Sequence, residues 1–372
     1  MAEPLKDSFG TDVPVRIADA LATVVEDFDR EGFLAACLDG YDDLELTPRA
    51  KQIASAMAAY LPADRELAMR TIVRTLGDEL YGSELTGMEP FVYLPHVYFI
   101  AEYGLDHFET AMTAQYELTK RFTAEFSIRA YLERYPEATL ARLGEWANDE
   151  SVHVRRLVSE GTRPRLPWAP RLRAFIADPS PVIELLERLK DDPEEYVRRS
   201  VANNLNDIAK DHPGVVVDVA RRWWREPGAG DERRKLVRHA LRTLIKQGDP
   251  AALDVLGYGE SSPVEVGAVT ITPERPAIGG KVAVEIELRN PTDEFAGALV
   301  DLRVHFVKAN GSTSPKVFKG AEVEIEPGSA SAVRKTISVA QQSTRTHHPG
   351  THAVEAIVNG RTVPLGEFDL VG

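Results

Sequence analysis

Cysteine is almost missing from this chain: among 372 residues only Cys37 carries a thiol. An internal disulfide is therefore excluded, and a reducing compartment is expected. Cys37 lies in the apolar run FLAACL, where a small buried side chain is a simpler reading than a reactive thiol. Long hydrophobic runs are missing too, since no stretch approaches the roughly 18 apolar residues of a membrane span. The opening MAEPLKDSFG lacks the basic start and apolar middle of a secretory signal, so a cytoplasmic protein without a membrane partner is expected. There is no Gly-rich phosphate loop and no G-x-S-x-G elbow. The histidines are scattered, apart from His347, His348 and His352, and have no cysteine or acidic partners at metal-ligand spacing. No cofactor and no metal are therefore expected. Basic residues are in deficit as well, 44 Lys and Arg against 58 Asp and Glu, for a net charge of −14.

That deficit is uneven. Residues 151–250 hold 20 basic and 15 acidic side chains, a net of +5, and the rest of the chain carries −19. A solvated helical surface accounts for many charge runs, but a basic centre in an acidic protein also offers a polyanion one local surface. The arrangement of the arginines sharpens this. Val154-Arg155-Arg156 returns as Val197-Arg198-Arg199 and again as Val237-Arg238-His239, at spacings of 43 and 40 residues. Both lie within the range of about 40–47 residues typical of HEAT repeats. A basic helix face repeated in register suits a long anionic ligand, and the phosphate backbone of nucleic acid is the leading candidate.

Length and a hydrophobic content of 43% predict two or three domains. Residues 1–258 read as helical, because apolar side chains recur at three- and four-residue spacing in VRIADALATVVEDF, AKQIASAMAAYL and RELAMRTIVRTL. In DDPEEYVRRSVANNL, Asp192 is expected to cap a helix, with Pro193 in the first helical position and Glu195 completing a capping box. Ser180 before Pro181 reads as a second cap, and Pro213-Gly214 as a stop. Paired helices at this period stack into a solenoid with one concave face. Arg199, Asn203 and Asp207 are spaced i, i+4, i+8 and share a helix face; Arg156 and Glu160 match the first two in the preceding copy. Val197, Val201 and Leu205 form the expected core stripe. Beyond Tyr258 the pattern changes to alternation, with turns at Gly279-Gly280, Asn310-Gly311, Pro327-Gly328 and Asn359-Gly360. Six or seven short strands over residues 263–372 predict an all-β immunoglobulin-like sandwich, with the boundary near residues 257–263.

The opening MAEPLKDSFG, FTAEFSIRAYL at 122–132, SEGTRPRLPW and YVRRSVANNLNDIAKDHP together resemble the AlkC branch of the AlkC/AlkD family of DNA alkylation-repair glycosylases. The resemblance spans the helical region and extends to the sandwich, which some members carry. It implies a multi-domain chain, an all-α HEAT-like solenoid followed by the sandwich. It also implies hydrolysis of the N-glycosidic bond of cationic bases, N3-methyladenine and N3-methylcytosine, in double-stranded DNA, acting from outside the duplex rather than in a base-flipping pocket. Carried over by position, Glu125, Glu160 and Asp207 are the catalytic carboxylates, Trp168 stands beside them, and Arg156 belongs to the same cluster.

These residue types suit that chemistry. A base methylated at N3 already carries positive charge and leaves without a general acid. Positive charge then develops on the sugar, an oxocarbenium-like state that carboxylates and an aromatic face stabilise. In this reading Asp207 and Glu160 hold the attacking water and stabilise the sugar, Glu125 supports them, and Trp168 packs on the lesion nucleotide. Arg156, Arg199, Arg163, Arg165 and Asn203 are the expected DNA contacts, the arginines because a planar fork matches phosphate oxygens. Plainer roles exist for each: Glu160 paired with Arg156, Glu125 with Arg121 or Arg129, Asp207 as a helix-end charge and Trp168 as a loop anchor. Periodicity alone also permits a non-catalytic scaffold or a damage-binding protein.

Overall fold

In the computed structural model, residues 5–80, 87, 89–259, 262–293, 295–341 and 346–372 are described. Residues 1–4, which open the family resemblance, and Glu260-Ser261 at the expected boundary lie outside them. The helices are α1 (Asp12–Ala22), α2 (Arg30–Leu38), α3 (Leu46–Tyr60), α4 (Arg65–Arg74), α5 (Leu94–Tyr103), α6 (Phe108–Thr119), α7 (Ser127–Arg134) and α8 (Pro136–Trp146). They continue as α9 (Val152–Gly161), α10 (Arg173–Ala177), α11 (Ser180–Leu189), α12 (Glu195–Ile208), α13 (Pro213–Arg225), α14 (Asp231–Gln247) and α15 (Pro250–Val255). Among the described residues no helix is long and apolar enough to cross a membrane. The chain divides into two compact units, Met1–Val216 with Glu226–Ala240, and Val217–Arg225 with Leu241–Gly372. The division thus runs through α13 and α14, whereas the change from helix to strand falls between Val255 and Glu265.

In the first unit, α8 packs on α9 and α11 on α12, and the two pairs stack, α9 on α12 and α8 on α11. This is the layered packing of helical repeats. Each inner helix has an apolar stripe: Val154, Leu157 and Val158 on α9, and Val197, Val201, Leu205 and Ile208 on α12, all buried. Full burial of such a side chain stabilises by about 1.5–3 kcal/mol. The caps differ from the sequence reading. Ser180 is already helical, and its N–H donates to Asp178. Asp192 accepts from the Glu194 N–H, and α12 starts at Glu195 with no capping box. Asp192 is instead drawn to Arg155 of the preceding repeat, a charged partner that outcompetes a neutral cap. Cys37 is fully buried, and burial pushes its thiol up to about 12, which removes the nucleophilic thiolate at neutral pH.

The second unit contains strands β1 (Glu265–Thr272), β2 (Lys281–Arg289), β3 (Ala296–Val307), β4 (Thr313–Ile325), β5 (Ala330–Ser338), β6 (Gly350–Val358) and β7 (Arg361–Leu370). They form two antiparallel sheets, ordered β1-β2-β5 and β4-β3-β6-β7. Val282, Val284, Ile286 and Leu288 on β2 and Val300, Leu302, Val304 and Phe306 on β3 alternate inward and build the shared core. Asn359 has φ +50 in the two-residue β6–β7 turn, and its side chain holds the Leu299 N–H and the Gly297 carbonyl. His352 stacks on Phe368 at 5.1 Å, and burial lowers its pKa.

Candidate active site

The polar faces of α9 and α12 meet in a buried seam. Ser200 Oγ donates to Glu160 Oε2 at 2.6 Å, and Asn204 Nδ2 donates to the Ser159 carbonyl at 2.8 Å and to Thr162 Oγ1 at 3.1 Å. Ser200, Asn204 and Asp207 therefore form the α12 face that meets α9. Arg199 and Asn203 each precede one of these residues, and that single step turns them by about 100°. Arg199 is exposed in a cleft it shares with Glu195, Lys235 and His239. Asn203 Oδ1 lies 3.0 Å from His239 Nε2.

At one end of the seam, six side chains of alternating charge connect. Arg156 Nη1 donates to Glu125 Oε2 at 2.6 Å, and its Nη2 lies 3.5 Å from Glu160 Oε1. Arg163 Nη1 donates to the same Glu160 oxygen at 2.7 Å, and Arg163 Nε donates to Asp207 Oδ2 at 2.8 Å. Lys210 Nζ closes the series on Asp207 Oδ1 at 2.8 Å. The structure thus brings together Glu125, Arg156, Glu160, Arg163 and Asp207. Tyr196 covers the Arg156 guanidinium, 5.3 Å from its ring centroid.

The carboxylates differ in access. Asp207 is only 3% exposed, and both its oxygens are occupied. Burial raises the pKa of Glu160, but Arg156, Arg163 and the Ser200 hydroxyl outweigh it and hold the carboxyl below its ordinary value. Glu125 precedes α7, where Thr123 Oγ1 donates to its Oε2, the oxygen that also holds Arg156. Among the described residues its Oε1 has no hydrogen-bond partner.

A cleft of about 250 Å³ opens at this end, lined by the apolar Phe91, Leu94, Tyr98 and Phe122 and by Glu125, Arg156, Glu160 and Trp168. Trp168 is 74% exposed and has φ +64, a conformation rare for a bulky residue. A loop anchor would be buried. This indole is presented to solvent beside acidic groups.

Three expected phosphate contacts have internal partners: Arg156 is held by Glu125 and Glu160, and Arg163 and Arg165 are also paired. Arg163 is 8% exposed because Glu160 and Asp207 claim its guanidinium. Arg165 pairs bidentately with Asp211 at 2.9 and 2.7 Å. The sequence reading missed Arg171 and Arg173, which follow Trp168, are exposed, and line a groove of about 780 Å³ with Arg165 and Phe175. It also missed Ser200 and Asn204. The repeat spacing held a signal for the first, since Ser200 touches Ser159 41 residues earlier, a small polar pair at one register of adjacent repeats.

A family model described as the C-terminal Ig-like domain of the uncharacterised protein YhaZ matches residues 265–372. The chain is 33% identical over 367 residues to "Uncharacterized protein YhaZ" of Bacillus subtilis (strain 168), covering 98% of this chain and 99% of that one. The solved structure of Pseudomonas fluorescens alkylpurine DNA glycosylase AlkC, bound to DNA containing an abasic site analog, matches with TM-score 0.79 and 33% identity over 100% of both chains.

Proposed function

This chain belongs to the AlkC branch of the AlkC/AlkD family, and from that premise we propose that it is a DNA glycosylase of alkylation repair. Its substrates in this reading are cationic bases in duplex DNA, N3-methyladenine and N3-methylcytosine, released by hydrolysis while the enzyme grips the backbone from outside. The observation that carries the reading is the charge chain itself. It joins carboxylates from three separate segments and ends at Glu125, which lines the same cleft as the exposed Trp168.

The N-glycosidic bond breaks with its electron pair going to the already cationic base, which leaves neutral. Positive charge develops at the sugar, where Glu125, Glu160 and the Trp168 face stabilise it. Water bonds to the anomeric carbon, and its proton passes to a carboxylate. Glu125 is assigned this task because, among the described residues, its Oε1 is the oxygen without a hydrogen-bond partner, while Arg156 bridges Glu125 and Glu160. One preorganised group of this kind contributes about 2.7–4 kcal/mol to the transition state. Asp207 joins when a phosphate draws away Lys210, the partner of Asp207 that solvent reaches, at 43% side-chain exposure. Arg199, Asn203, Arg171 and Arg173 hold the backbone, with Arg165 lining the same groove as Arg171 and Arg173. Arg163 orders the carboxylates instead of touching phosphate.

Single-turnover release of N3-methyladenine from duplex DNA tests this in the wild type and in Glu125→Gln, Glu160→Gln and Asp207→Asn. Loss of rate on the order of 10²–10³-fold is expected for Glu125→Gln. Full rate in all three variants would end the proposal. Binding without base release would make the protein a damage sensor, and neither binding nor release would leave a scaffold.

A further inference from the structure

Arg129 is a buried cation outside the charge chain. It lies on α7 and is 4% exposed, yet among the described residues it forms no ion pair. Its Nη1 donates to the carbonyls of Gly161 at 3.2 Å and Arg163 at 2.8 Å, and its Nη2 donates to the Pro170 carbonyl at 2.5 Å. Gly161 and Arg163 lie at the end of α9, where carbonyls lack helical partners and carry the negative end of the helix dipole. Pro170 lies on the returning limb of the loop at 162–172. The guanidinium thus bridges both limbs, which also meet through the Leu172 N–H on the Pro164 carbonyl at 3.1 Å. Burial pushes the Arg129 pKa down to about 10, so the group remains a cation at neutral pH.

The contact leaves little room for adjustment. A Cβ on Gly161 would lie 2.6 Å from Ile128 Cγ2, so α7 and the end of α9 approach as closely as a glycine allows. Leu166 and Leu172 are buried as the roots of the loop, and its tip carries Trp168 at positive φ. A bulky residue keeps such a backbone only where its surroundings impose it. Three carbonyls from two chain limbs match a planar fork of five donors, and an ammonium point charge does not reproduce that fan.

We propose that Arg129 is a positioning residue: it splints the loop at 162–172 and thereby holds Trp168 at the mouth of the cleft beside Glu125 and Arg156. Its effect on base release rests on the glycosylase reading; its effect on the placement of Trp168 does not. The test uses the full chain and the variants R129M, R129K and W168G, with R129M and R129K also made in the W168G background. Acrylamide quenching, taken as the difference between each protein and its W168G counterpart, reports Trp168 alone without DNA. R129M is expected to change that signal and to slow single-turnover release of N3-methyladenine by up to roughly 2–30-fold, the scale of losing the cation–π contribution of Trp168. R129K should fall between R129M and wild type. In the W168G background most of the Arg129 effect on rate should vanish, because the two act as one unit. An unchanged Trp168 signal in a folded R129M, or in R129K should R129M not fold, would overturn the splint. An equal rate loss with and without Trp168 would reduce Arg129 to a framework residue. Failure of the wild type to release base would defeat the glycosylase reading while leaving the quenching result to judge the splint.

Discussion

The two copies of Val-Arg-Arg, on α9 and α12, share one role and part on the other. Their first arginines are equivalent. Arg155 holds the Asp149 and Glu150 carbonyls and pairs with Asp192; Arg198 holds the Asp192 and Pro193 carbonyls and pairs with Glu232. Each closes its own loop and ties its repeat to the acid of the next. Their second arginines diverge. Arg156 is enclosed by Glu125, Glu160 and Tyr196, whereas Arg199 faces solvent. A repeat therefore preserves the residue that joins one layer to the next and leaves its neighbour free to take different partners. What the second arginine does depends on the segment that passes over it, and only α9 has Glu125 on one side and the Trp168 loop on the other.

Arg156→Met breaks the comparison most severely. Removing one partner from a buried ion pair costs about 3–5 kcal/mol; here Glu125 loses its one ion-pair partner among the described residues, while Glu160 keeps Arg163. A large fall in melting temperature and near-complete loss of base release are expected, whereas Arg199→Met should melt within the range of ordinary surface substitutions, about 0.5 kcal/mol. Equal melting of the two variants would refute the buried role of Arg156.

Next in size is Ser200→Ala, which removes a hydrogen bond to a charged group worth about 1.5–3 kcal/mol. The Glu160 carboxyl is held below its unfolded value of about 4.3, so its contribution is complete above that pH and is lost as pH falls through the lower folded value. Ser200→Ala should therefore move the acid limb of both stability and base release to higher pH. Superimposable profiles for wild type and variant would show that Ser200 does not tune Glu160.

Trp168→Gly tests the exposed edge of the site. Loss of a cation–π contribution of about 0.5–2 kcal/mol corresponds to base release roughly 2–30-fold slower. Stability should hold or rise, because glycine adopts φ +64 without strain. The smallest expected effect belongs to Arg199→Met, Arg171→Ala and Arg173→Ala. Each should weaken DNA binding equally on all sequences and reduce the slope of log affinity against log salt by about 1. An unchanged slope would remove that arginine from the backbone contacts.

Much of the architecture was legible without coordinates, because helical and strand periodicities are local properties of a chain. The stripe of Val197, Val201 and Leu205 and the alternation in β2 and β3 follow directly from where apolar residues fall. The carboxylates were legible only by resemblance. Nothing in spacing connects Glu125 to Glu160 or Asp207, and the periodicity that placed Arg199 on their face was one helical step out. Ser200, which is on that face, looks like any small polar residue until α9 lies beside it.

What sequence alone determined is the repeat: helices of fixed phase, a basic middle, arginines 43 residues apart and an alternating tail. Tertiary structure decided which charges are consumed and which stay available. It buried Arg163 between two acids, turned Arg129 onto three carbonyls and left Trp168, Arg171 and Arg173 facing water. The physical reason is that hydrophobic phase is set within a single helix, whereas the fate of an ionised group depends on the partner that desolvates it, and those partners come from segments tens of residues away.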